Sequence, residues 1–194
     1  MKIAGIDYGS KLAGTTVIAY LEDGKAQLFQ SEKKRDADKF VLEQLSALGV
    51  KQVFLDAPLS LPGVYRAMPN YDDFFYRRGD KQLKAMSPMF LGGLTARAMR
   101  LKRDLNAKGM EVREIYPAQL AKKLELPILN YKKQVTHIMP VCQHLFQLLP
   151  YSFEAADIKN WHQVDALLAL YSGWRYLNNE HEIFGDETEG QIII

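Results

Sequence analysis

Two short apolar runs, residues 2 to 7 (KIAGID) and 52 to 56 (QVFLD), each end in an aspartate and flank one amphipathic helical pattern. A strand, a helix and a second strand in this order imply a right-handed crossover, which lays the second strand parallel to one already in the sheet. The first strand is the expected neighbour. Between them, residues 14 to 20 (GTTVIAY) have the β-branched content of a strand, and Asp23-Gly24 favours a tight hairpin into a further strand at about 25 to 31. The chain is therefore expected to open with a three-stranded antiparallel meander. Residues 36 to 48 follow as a helix, with Phe40, Val41, Leu45 and Leu48 at helical spacing and Gly49 as its stop. The fold class is α/β.

Residues 57 to 90 contain Pro58, Pro62, Pro69 and Pro88 among many aromatics, which reads as an irregular excursion near the carboxyl end of the sheet. Helices are expected at about 91 to 108, 117 to 124, 132 to 148 and 161 to 178. A strand is expected at 111 to 115, and a short one at the terminal QIII. With 194 residues, the expectation is one domain, 1 to 194, carrying an insertion at about 57 to 90.

Several function classes are excluded or disfavoured. Cys142 is the sole cysteine, so neither an internal disulfide nor a cysteine-rich zinc site can form, and its apolar surroundings fit a buried thiol. The opening residues lack the apolar run of a secretory signal, and no later run approaches the ~20 residues of a membrane span. A cytoplasmic protein without membrane association is expected. A formal charge of +2 neither requires nor forbids a nucleic-acid partner.

The acids carry the chemistry. If the strands ending at Asp7 and Asp56 are parallel neighbours, their last residues lie about 5 Å apart on the rim where open α/β sheets bind ligands. Either aspartate alone is equally compatible with a turn-forming role. A third acid, Asp165, lies one turn inside a helix that Asn160 and Gln163 can cap as a capping box, so capping does not explain it. It borders the apolar stripe of Val164, Leu167, Leu168 and Tyr171, where a charge needs a cation or a basic partner. A salt bridge to lysine or arginine is the alternative to metal. Three clustered carboxylates suit Mg²⁺ or Mn²⁺, and two such ions can promote phosphodiester hydrolysis without a serine or cysteine nucleophile.

Asp7-Tyr8-Gly9-Ser10-Lys11-Leu12-Ala13-Gly14 resembles the Asp-x-Gly-x-x-x-x-Gly motif of Holliday-junction resolvases in the ribonuclease H-like superfamily. His162-Gln163-Val164-Asp165-Ala166-Leu167 resembles their terminal helix motif. Across most of its length the chain is also similar to an uncharacterised family of predicted nucleases of that superfamily. The stretches that carry this are Asp56-Ala57-Pro58-Leu59-Ser60-Leu61-Pro62, Glu114-Ile115-Tyr116-Pro117-Ala118 and Gly185-Asp186-Glu187-Thr188-Glu189-Gly190. The resemblance implies a mixed five-stranded sheet of order 3-2-1-4-5 flanked by helices, and a metal-dependent nuclease with Asp7, Asp56 and Asp165 as metal ligands. The resolvases have glutamate where this chain has Asp56. His162 is expected as a ligand or proton carrier, or else as an exposed helix histidine. Glu114 is expected to be a ligand, a base that orients water, or a strand-end salt bridge.

Lys11, Arg78 and Arg97 are the expected substrate contacts, with Arg77, Asp80, Arg100, Lys102 and Arg103 nearby; ordinary solvated surface charge is the alternative. Tyr65, Tyr71, Phe74, Phe75 and Tyr76 are expected either to stack on bases or to pack the insertion. Two other functions stay open: a non-catalytic module binding nucleic acid or another partner, and a relative of actin-like ATPases. The latter resemble two copies of such a domain, whereas one copy uses up this chain. The oligomeric state is open, a homodimer included.

Overall fold

β1 (Ile3–Asp7), β2 (Val17–Glu22) and β3 (Lys25–Gln30) form an antiparallel meander in the computed structural model, which describes residues 2–194. Asp36 starts α1 (Ala37–Leu48) by accepting from the N–H groups of Asp38 and Lys39, and Gly49 ends it in the left-handed conformation at φ +66°. The crossover delivers β4 (Gln52–Asp56) parallel to β1, with Asp7 directly opposite Asp56. β5 (Glu111–Ile115) adds parallel to β4.

The sheet is wider than five strands. The tail forms a hairpin, β6 (Ile183–Asp186) and β7 (Gly190–Ile193), and β7 joins β5 in parallel through Glu114 opposite Ile192 and Ile115 opposite Ile193. The result is a mixed seven-stranded sheet of order β3-β2-β1-β4-β5-β7-β6, within which β3-β2-β1-β4-β5 runs as expected. β7 falls at the terminal QIII where a strand was expected, whereas its partner β6 was not foreseen because the turn between them is closed by a side chain: Asp186 accepts from the Glu189 N–H at 2.8 Å.

Helices cover both faces. α1 and α4 (Gly93–Asn106) pack Val41, Leu45, Leu101 and Leu105 onto Ile6 and Leu55. On the other face α5 (Pro117–Lys123), α6 (Ile138–Leu148) and α7 (Trp161–Leu177) enclose Val17, Ala19 and Phe54. α7 is the central helix. It lies on β1 so closely that a Cβ on Gly5 would fall 2.0 Å from the Leu170 backbone nitrogen, and one on Gly173 would fall 2.3 Å from the Phe54 ring. Residues 164 to 170 of α7 are all buried, Asp165 included.

Two helices differ from expectation. The one expected at 91 to 108 is broken at Gly92, whose φ of +47° admits a corner between α3 (Pro88–Leu91) and α4. The one expected at 132 to 148 begins only at Ile138; Asn130 and Lys132 adopt left-handed backbone, and 3₁₀ turns occupy Leu126–Leu129 and Val135–His137. The polar run Lys132-Lys133-Gln134 supplies no apolar position, and Val135 is 66% exposed, so nothing holds those residues as a helix against the sheet.

The excursion after β4 carries a 3₁₀ turn at Gly63–Arg66, α2 (Arg78–Leu83) and α3. The tail braces it. Glu189 is 2% exposed and accepts from the N–H groups of Gly63 and Arg78, each at 2.7 Å. Ser60 donates to the Glu189 carbonyl at 2.7 Å, and Tyr71 donates to Asp186 at 2.9 Å.

Candidate carboxylate site

Asp7 and Asp56 end neighbouring parallel strands and face each other in register. The third acid arrives by helix packing. Leu170 lies against Gly5, five residues beyond Asp165 on α7, which corresponds to a rise of about 7.5 Å. Asp7 lies two residues beyond Gly5 on β1, about 6.6 Å along the strand. Because α7 runs opposite to β1, these offsets bring Asp165 to the level of Asp7. The Asn160–Gln163 capping box fixes where the helix begins, and His162 in its first turn places Nδ1 2.8 Å from Asp7 Oδ2.

The acids feel one another. Burial first, then the charges of Asp7 and Asp165, push the Asp56 carboxyl well above the carboxylate range. Among the described residues no ion pair forms at Asp56 itself. Burial pushes Asp165 up to about 6, with Asp7 adding to the rise while Lys132 and Tyr131 oppose it. The hydrogen bond to Asp7 raises His162 above its ordinary value.

Sequence reading missed two residues here, Tyr131 and Lys132. The Tyr131 hydroxyl donates to Asp165 Oδ1, and Lys132 Nζ lies 2.6 Å from Asp165 Oδ2. The salt bridge considered for Asp165 is therefore present. Burial opposes the Lys132 charge, but Asp165, Asp56 and Asp7 together raise its pKa. Asn130, a residue tolerant of left-handed backbone, just ahead of a Tyr-Lys pair between apolar runs, was the available signal.

Glu114 is part of a buried ionic cluster, and its charge also adds to the rise at Asp56. Arg77 donates to Glu114 Oε2 and Oε1 at 2.7 and 2.6 Å and to Asp80 Oδ2 and Oδ1 at 3.0 and 2.7 Å, with a fifth bond to Ser60 at 2.9 Å. The Leu59 N–H completes Glu114 at 2.8 Å. Both Glu114 oxygens are thus engaged in a strand-end salt bridge, one of the roles expected for it. The same cluster removes Arg77 and Asp80 from the surface, each 1% exposed.

The expected substrate contacts are also paired. Lys11 Nζ meets Asp36 at 3.1 Å, and Arg78 meets Asp186 at 3.4 Å while covering the Tyr71 ring. Arg97 holds Asp38 at 2.6 Å, donates to the Gly9 carbonyl at 3.1 Å and lies over the Tyr8 ring. In this position it fixes the loop after Asp7. Asp38, which also accepts from Tyr8 at 2.5 Å and Arg100 at 3.3 Å, was not singled out from the sequence. Cys142 is fully buried, and burial pushes its thiol up to about 11.

A cavity of about 400 Å³ opens beside Asp56, and Glu114, Tyr116, Lys132, Ala85, Met86 and Leu91 are among the residues that line it. The excursion's aromatics lie outside it. Tyr65 meets Phe74 edge-on and Phe75 packs on Phe90, and all four rings are about half exposed or more. Among the described residues no group of three or more His, Cys, Asp or Glu side chains is placed so that it could hold a metal ion as it stands, and no helix is long and apolar enough to cross a membrane.

These shifts fix a pH dependence. Asp165 and Asp56, raised above the unfolded carboxylate value of 3.8, add stability that is full below that value. For Asp165 it is lost as the pH rises through about 6. Raised His162 adds stability that is full below 6.5 and lost as the pH rises through its higher folded value. All three have the same sign, so the metal-free protein should gain melting temperature as the pH falls from about 8 to about 5.5. Calorimetry across that range checks this; a falling melting temperature would contradict the arrangement.

No protein-family model matches the chain, and no curated protein matches it at a significant level. Its function is read from the site.

Proposed function

We propose that the protein is a metal-dependent nuclease of ribonuclease H-like architecture that hydrolyses phosphodiester bonds in DNA or RNA. The observation that carries this reading is the in-register pair Asp7 and Asp56 at the carboxyl rim, joined by Asp165 from α7. The strand order β3-β2-β1-β4-β5 supports the architecture. Oxygen donors whose mutual repulsion is relieved by a cation fit Mg²⁺ or Mn²⁺, with Asp7, Asp56 and Asp165 as the residues that would hold it. Such ions supply charge neutralisation at the phosphate and activation of water.

The chain's own groups do the rest. His162, 44% exposed at its side chain and bonded to Asp7, carries protons between the site and solvent. Arg97 fixes the Tyr8-Gly9 loop, and through it the direction of Asp7.

The test is incubation of the protein with single-stranded, duplex and branched DNA and RNA in Mn²⁺ or Mg²⁺. The expected result is cleavage that chelation by EDTA abolishes. A second reading, a non-catalytic module that binds nucleic acid or another partner, is favoured by one observation: Lys132 already matches the Asp165 charge. Retention of a nucleic acid without cleavage in any divalent ion would select it.

A further inference from the structure

We propose that Lys132 is a built-in competitor for the divalent cation: its ammonium takes the cation's place on Asp165, and it must withdraw into solvent when metal binds. The inference rests on the cation-binding reading of the three aspartates and adds the residue that regulates it.

The two oxygens of Asp165 are divided between consecutive residues, Tyr131 on Oδ1 and Lys132 on Oδ2. Tyr131 brings a neutral hydroxyl, which leaves the oxygen's remaining lone pair usable. Lys132 brings a full positive charge, which a divalent ion on the same carboxylate would meet at short range. That charge is shared: Asp165, Asp56 and Asp7 all act on Lys132, and it borders the cavity together with Asp56. It is thus the ammonium placed to serve the whole carboxylate group.

The contrast with Arg77 shows why Lys132 is replaceable. Arg77 is 1% exposed, with every guanidinium N–H committed, and has no path to water. Lys132 makes one ion pair, and its side chain is 46% exposed, so rotation about its stem returns the ammonium to solvent. The backbone points the same way. Lys132 sits at φ +61° and Asn130 at φ +59°, between two 3₁₀ turns. A lysine in left-handed backbone carries local strain, and such strain concentrates in segments that switch.

The experiment titrates Mn²⁺ into the full chain by isothermal calorimetry, comparing wild type with Lys132→Met and Lys132→Arg. Lys132→Met should bind Mn²⁺ at least about tenfold more tightly, because the stem is kept and the competing charge is gone. Lys132→Arg, which keeps the charge, should bind no more tightly than wild type. If wild type and Lys132→Met bind equally, or the variant binds more weakly, the competitor role is overturned while the cation site stands. If none binds Mn²⁺, the cation reading itself fails and the proposal falls with it. Hydrogen exchange on wild type gives a readout that does not depend on a variant folding. Adding Mn²⁺ should increase exchange in the segment 130 to 137 while protecting the first turns of α7. Increased protection of both would overturn the withdrawal of Lys132.

Discussion

Asp7→Asn is expected to leave the fold intact and to lower divalent-dependent cleavage by about a thousandfold or more. An amide oxygen is an uncharged, weaker ligand for a hard cation. The several kcal/mol of charge stabilisation that such a cation supplies correspond to that factor at about 1.4 kcal/mol per tenfold. Stability should move the other way or not at all. The substitution removes one of the charges that push Asp56 up, and the pair it loses, with the half-exposed His162, is of the kind that contributes about 1 kcal/mol or less. An unchanged or raised melting temperature with lost cleavage therefore identifies a carboxylate kept for chemistry. A sharp fall in melting temperature would show that Asp7 holds the strand end, and cleavage equal to wild type would remove it from the mechanism.

The second large effect is on stability. Arg77→Ala should destabilise the protein by about 3 to 5 kcal/mol, because Glu114 and Asp80 would be left buried with no cation between them. At roughly 2 to 4 °C per kcal/mol for a chain of this size, the melting temperature should fall by on the order of 10 °C, readable by calorimetry. Arg77→Lys should recover little of this, since one ammonium cannot reproduce five bonds to two carboxylates and a hydroxyl. A loss near 1 kcal/mol for Arg77→Ala would mean that the cluster is hydrated and carries little of the fold.

What was legible in the sequence was what local pattern controls. The alternation of strand, helix and strand placed Asp7 beside Asp56, and the Asn160–Gln163 capping box put Asp165 inside a helix rather than at its cap. Gly49 marked the end of α1 because a left-handed residue was needed there. What was not legible depends on partners far apart in the chain. Arg77 and Glu114 are 37 residues apart, and nothing local to either announces the other. Lys132 was expected on a helix, and only the irregular backbone of residues 130 to 137 turns it toward Asp165, 33 residues on. Lys11, Arg78 and Arg97, expected to face a phosphate backbone, each have an acidic partner whose position the sequence pattern did not reveal, Asp36, Asp186 and Asp38 in turn.

The brace that the tail places on the excursion sets an order of events in folding. The bonds from Ser60, Gly63 and Arg78 to Glu189 span 129, 126 and 111 residues, so their loop closure cannot begin until Glu189 is available. The meander and the β1–β4 crossover are complete within the first third of the sequence and can pair long before that. During synthesis the rim bearing Asp7 and Asp56 therefore stands open, without its excursion wall, while the remainder of the chain emerges. The cleft beside Asp56 is assembled only once the β6–β7 hairpin has been synthesised, and any activity it supports is withheld until then.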